Sequence, residues 1–250
     1  MSIFSIPTFL SAALVMLVFG GGAAVVYAVV HRIWRGDVSG ETARVADAVS
    51  TRIGVIHAVV IGMMFSNVTA QYIGMIEALE SEASALIRLH NEMERRDPER
   101  FAPAMAELGG YIHFVVQEQW PALREGRTHA NLMGRELLDG VWASVQRFEG
   151  GGQQELHRLL DEVEAYRNLR VFDTLGTFLP LFWYAAIIGY LLTVASLCVV
   201  PPTKRRLAIV ALYGAMVGIV LHGILLMTRP YSVGVGITPV VFERLLEATL

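Results

Sequence analysis

Charge-free apolar runs and mixed stretches alternate along this chain in a way that predicts helices throughout. Thr8 to Val30 carries no charged residue and is long enough, at ~20 residues or more, to cross a hydrocarbon core. Residues 1–7 have no side-chain charge, so this run reads as a retained span, not the apolar core of a signal peptide. Ile53 to Ile76 predicts a second span and Thr177 to Val200 a third. Leu207 to Thr228 predicts a fourth, joined to the third by the tight loop Pro201 to Arg206. Between spans two and three the apolar positions recur with helical period. Ile76, Leu79, Ala83, Leu86 and Met93 continue the second span, predicting one helix from about Arg52 to Arg96. Asp97-Pro98 reads as an N-cap with proline at the first helical position. The next helix carries the seam Phe101, Met105, Leu108, Ile112, Val115 and Gln119 and is expected to end at Trp120-Pro121. A third helix has Leu138, Val141, Trp142, Val145 and Phe148 before Gly150-Gly151-Gly152, and a fourth has Leu156, Leu159, Leu160, Val163 and Tyr166. No strand-like alternation occurs in this stretch.

The expected fold class is therefore all-α: a polytopic membrane protein with four transmembrane helices and a helical-bundle extension between the second and third. Its domains are residues 1–76 (spans 8–30 and 53–76), a helical extramembrane domain at 77–176, spans 177–200 and 207–228, and an interfacial tail at 229–250. Composition agrees: 54% of the 250 residues are hydrophobic and 17% charged, against about a quarter charged in soluble domains.

Charge split by position adds an orientation. Residues 76–176 hold 18 acidic and 11 basic side chains, a net of −7, and the remainder nets +4. The short loops carry Arg32, Arg35, Arg44 and Arg52, then Lys204, Arg205 and Arg206, all on one side if there are four spans. Positive charge marks the cytoplasmic side, so the helical domain and both termini are expected to face outward from a bacterial inner membrane. No basic patch with interleaved aromatics marks a nucleic-acid surface.

Catalytic and cofactor signatures are absent: there is no P-loop, H-E-x-x-H, C-x-x-C or G-x-S-x-G string, and the single cysteine, Cys198, excludes an internal disulfide. The chain is expected to be neither an enzyme nor a cofactor or metal binder. The polar groups inside span two, His57, Asn67 and Gln71, are candidates for lining an aqueous path, with hydrogen bonding between helices as the competing role. Arg167 and Arg170 are expected to pair with carboxylates of the bundle or with lipid phosphates. Gly214 and Gly218 in span four permit close helix approach. In the tail, Pro230 stops span four, Gly234 and Gly236 let the chain turn, and Thr238-Pro239 starts an amphipathic helix that lies on the interface or packs against a neighbouring bundle. Arg229, Tyr231 and Phe242 are candidate lipid or interface contacts.

Four strings carry a family resemblance: "EALESEASALIRLHNEM", "YIHFVVQEQWPALREGR", "RNLRVFDTLGTFLPLFWYAAIIGYLLT" and "RPYSVGVGITPVVFERLLE". Together they make the chain resemble the bestrophin-like domain family of bacterial and plant membrane proteins, distantly similar to bestrophin anion channels. The resemblance implies a homo-oligomer, pentameric by analogy, that passes inorganic ions and is embedded in membrane lipids. Bestrophins hold their extension and termini in the cytoplasm, whereas the charge pattern here directs them outward, and an acidic mouth enriches cations. The expected function is an ion channel or passive ion transport protein. The alternative is a non-conducting scaffold, accessory subunit or envelope sensor that acts through the helical domain.

Overall fold

The computed structural model describes residues 7–33, 40–125, 131–148, 150, 152–172, 180–197, 201–231 and 236–249. Every regular element among them is helical. The helices are α1 (Thr8–Ile33), α2 (Gly40–Arg96), α3 (Pro98–Phe114), α4 (Trp120–Arg124), α5 (Asn131–Gln146), α6 (Gln153–Phe172), α7 (Pro180–Ser196), α8 (Lys204–Met227) and α9 (Val240–Thr249). Arg35, Gly151, Cys198, Gly234 and the outer ends of the expected third span, 177–179 and 198–200, lie outside the described residues.

Among the described residues three helices, not four, are long and apolar enough to cross a membrane: α1, α2 and α8. The helix expected over 177–200 is described over 17 residues, starting at Pro180. At ~1.5 Å per residue that length covers about 26 Å, short of a ~30 Å hydrocarbon core. The second helix is longer than expected. It begins at Gly40, not near Arg52, because 40–52 contains no proline and opens with Glu41 at the positive end of the helix dipole. Its far end and the start of α3 follow the expected signal: Asp97 accepts a hydrogen bond from the Arg100 N–H at 3.0 Å and Pro98 occupies the first turn.

Trp120-Pro121 does not end its helix. Proline lacks an N–H and its ring crowds the carbonyl four residues back. The chain absorbs this by widening into a π-helical turn, Val115–Gln119, in which the Trp120 N–H bonds to the Val115 carbonyl, and helix α4 continues to Arg124. The glycine-rich stop after α5 needs one left-handed residue, Gly152, with φ of 95°.

The chain divides into two compact units, residues 1–70 with 177–228 and residues 71–176 with 229–250. In the first, α1 and α8 pack antiparallel: Ser11 meets His222 at 3.1 Å, and Gly20 faces Ala211. A Cβ on Gly214 would lie 2.5 Å from the Phe19 carbonyl oxygen, a backbone atom that cannot move aside. Tyr27, Met64, Val68, Ala186, Val194 and Ile224 fill the space between α1, α2, α7 and α8.

In the second unit, Leu86, Leu89 and Met93 of α2 pack with Phe101, Leu108 and Ile112 of α3, Val141 and Val145 of α5, and Leu156, Leu160 and Val163 of α6. Residues of the tail belong to this same core. Tyr231 and Phe242, expected at lipid or the membrane interface, are 3% and 1% exposed here, with Leu245 beside them. The apolar face of α9 finds its cover in the bundle, so an interfacial position is not needed to bury it. Arg229 is exposed.

Candidate functional site

Two arrangements hold the chemistry-bearing side chains. One lies along the apolar part of α2. His57 is 4% exposed, and its Nε2 donates to the Ala186 carbonyl at 2.8 Å. In a neutral imidazole Nδ1 is then the acceptor, and the Tyr213 hydroxyl sits 3.1 Å from it. Both ring nitrogens are thereby spent on joining α2 to α7 and α8. His57 is an interhelical fastener within this chain, which is the competing role the sequence offered for it beside lining a path. Tyr190 does similar work, donating its hydroxyl to the Phe19 carbonyl at 2.6 Å.

Asn67 and Gln71 differ from His57 in facing outward. Both are exposed, one helical turn apart, among exposed Met63, Phe65 and Ile73. Polar side chains are uncommon on a helix face this apolar, and where they occur they usually face a bundle interior or an aqueous path.

The second arrangement is a buried polar cluster inside the helical unit. Arg170, on the last turn of α6, and Glu82, on α2, are each fully buried. Arg170 Nε donates to Glu82 Oε2 at 2.7 Å and Nη2 to Glu82 Oε1 at 3.1 Å. Its Nη1 reaches Gln119 Oε1 at 2.6 Å, and Nη2 also donates to the Tyr111 oxygen at 3.1 Å. Tyr111 in turn donates to Glu82 Oε1 at 2.5 Å. The π-helical turn ahead of Pro121 is what brings Gln119 round to the guanidinium. The tail closes the cluster: the Tyr231 hydroxyl donates to the Arg170 carbonyl at 3.2 Å, and the Phe242 ring lies 5.5 Å from the guanidinium carbon. Trp120 packs edge-on against Tyr231 at 5.1 Å.

Electrostatics follow from this geometry. Burial alone lowers the affinity of Arg170 for its proton, but the charge and hydrogen bonds of Glu82 outweigh it and hold the guanidinium charged well above its usual range. Burial pushes the Tyr111 phenol up from its ordinary value, the Glu82 charge adds to the shift, and Arg170 opposes it. A raised native value means stability present below the unfolded value of about 10 and lost as pH rises through the native one, at about 1.4 kcal/mol per pH unit. Thermal unfolding of the helical unit from pH 9 to pH 12 is expected to show this alkaline loss. Tyr111→Phe should remove its share while lowering stability at neutral pH by the two hydrogen bonds. An unchanged alkaline slope in the variant would assign the loss to other tyrosines.

The pairing of Arg170 with a bundle carboxylate was legible. The other members of the cluster were not assigned, yet a signal was there. Glu82 falls on the apolar stripe between Leu79 and Leu86, and Arg170 continues the stripe of Leu156, Leu159 and Val163. A charge in a stripe position is the mark of a buried pair.

A comparison with family profiles matches residues 17–242 to the Bestrophin-like domain. The chain belongs to the Bestrophin-like domain family. No curated protein and no solved structure matched. The match on this bestrophin-like chain starts inside α1 and ends at Phe242, so it takes in α2 with its outward amides, the buried cluster and the first residues of α9.

Proposed function

We propose that this bestrophin-like chain is a subunit of a homo-oligomeric membrane pore that passes small inorganic ions without catalysing a reaction. The observation that carries the reading is the outward face of α2, where Asn67 and Gln71 are exposed in an apolar stretch of a chain that belongs to this family. In an oligomer with α2 toward the axis, those amides meet water and ions, and the exposed aliphatic faces of α1 and α8 meet lipid. Glu77 and Glu80, the next charges along α2, are exposed. The −7 helical stretch they open favours cations at the mouth of the path.

The tail supports a fourth crossing. Residues 71–172 and 231–246 share one core, which favours a segment between them that leaves and returns on one side of the membrane. With α8 crossing once, the four-span reading takes the return through the segment that holds α7. In a Cys198→Ser background, a cysteine at Ser84 and one at Glu247, both exposed, should be labelled by an impermeant thiol reagent to the same extent in intact cells. The positive-inside argument predicts labelling of both without permeabilisation. Opposite accessibility of the two would end the four-span reading.

The functional test is purified oligomer in planar bilayers. Conductance with a reversal potential set by the cation gradient is expected, and Asn67→Leu or Gln71→Leu should reduce it severalfold without loss of assembly. A folded oligomer with no conductance in either salt gradient would instead make the protein a scaffold or sensor acting through its helical unit.

A further inference from the structure

All ten charged side chains of the first unit, seven basic and three acidic, fall within residues 32–52 and 204–206. Helix register gathers those of them that lie on α1, α2 and α8 at one end. α1 runs antiparallel to α8, with Ser11 at His222 and Gly20 at Ala211, which carries Arg32 about one turn beyond the start of α8. α2 runs parallel to α8, with His57 at Tyr213 and Thr69 at Met227, which carries Arg44 to that same level and Arg52 about two turns further in. Arg32, Arg44, Arg52, Lys204, Arg205 and Arg206 are exposed there. Arg32, Arg52, Lys204 and Arg205 make no ion pair among the described residues, although exposed Glu41 and Asp47 lie on the same stretch of α2. The cations of Lys204–Arg206 occupy the first turn of α8, where the helix dipole adds to their positive potential and no acidic residue offsets it.

The surface beside these cations is apolar. Ile33 is 79% exposed, Val45 59%, Ile56 66% and Ile209 66%. A soluble phosphate or a nucleic-acid backbone could use the cations but would leave that surface uncovered. A lipid offers both chemistries at the right spacing, an anionic headgroup for the guanidinium and ammonium groups and acyl chains for the aliphatic side chains.

We infer that this end of the first unit is a docking surface for anionic phospholipid headgroups, held by Arg32, Arg44, Lys204 and Arg205. The inference rests on the membrane reading above. It assigns the positive end a partner in the bilayer beyond its role in setting orientation. The Arg fork suits bidentate contact with a phosphate, and the exposed aliphatics fix the depth at which the lipid sits.

The test uses full-length protein in an uncharged detergent, titrated with phosphatidylglycerol or phosphatidylcholine and followed by thermal midpoint and by the lipid retained in native mass spectrometry. This readout is independent of how the protein inserts in cells. Phosphatidylglycerol is expected to raise the midpoint and remain bound, and phosphatidylcholine to do neither. Replacing Arg32, Arg44, Lys204 and Arg205 by Gln should weaken phosphatidylglycerol by about fivefold per cation. Lys at Arg32, Arg44 and Arg205 should keep most of the affinity. Gln at Arg124 and Arg135, exposed arginines of the helical unit, should change nothing. Equal response to the two lipids, a quadruple variant that binds like the parent, or the same shift from inorganic phosphate would each overturn the inference. Protein that fails to float with vesicles of either lipid would overturn the membrane reading itself, a separate outcome.

Discussion

Arg170→Met is expected to unfold the helical unit at temperatures where the parent is intact. The substitution removes one member of a fully buried pair and leaves the Glu82 carboxylate with a single strong donor, Tyr111. Breaking a buried pair from one side costs about 3–5 kcal/mol, a large part of the total stability of a domain. Gln119 also loses the donor that satisfies its carbonyl oxygen. Glu82→Leu should be comparably damaging, because it strands the guanidinium. The double variant Glu82→Leu/Arg170→Met should be milder than either single change, since no charge is left without a partner and the replacements are apolar. Circular dichroism melting of the four proteins in detergent forms the cycle. Additive losses in the double variant would mean that the two residues act separately, and that the pair is not the unit of stability described here.

Phe242→Ala should be nearly as costly. The ring is 1% exposed, covers the Arg170 guanidinium and lies 6.4 Å from Trp120. Truncating a buried Phe to Ala costs about 3–5 kcal/mol when the surroundings cannot collapse, and the neighbours here are a rigid indole and an ion pair. The same substitution would be nearly silent if α9 lay on a lipid surface, where the ring's place is taken by acyl chains. Limited proteolysis gives an independent view: cleavage within 71–172 should become fast in Phe242→Ala and stay slow in Phe242→Leu, which refills most of the volume. Equal resistance in the parent and both variants would mean that α9 does not close the core in solution.

Both expectations bear on what could be read from the residues alone. Apolar periodicity was enough for the helices, and the Asp97-Pro98 cap was legible because its signal is local. The Trp120-Pro121 break was misread because a π-helical turn is stabilised by what Gln119 reaches across the bundle, which no local window contains. The cover of the tail helix stayed open between two readings for a related reason. Phe242, Leu245 and Leu246 make a face that suits a bilayer surface or a protein groove equally well, and only the distant positions of Trp120 and Arg170 decide between them. The outward amides are the reverse case: Asn67 and Gln71 stand out in sequence as polar groups in an apolar run, and the structure leaves both exposed on α2.

The shared core of residues 71–172 and 231–246 also has a consequence in time. During synthesis, α2 to α6 leave the ribosome before α7 and α8, and α9 follows last. Until then Trp120 and the Arg170 cluster lack their cover, and the bundle waits with an open side through the whole interval in which α7 and α8 are made. Closure of this core is therefore a late event, set by arrival of the last helix and not by completion of the bundle's own sequence.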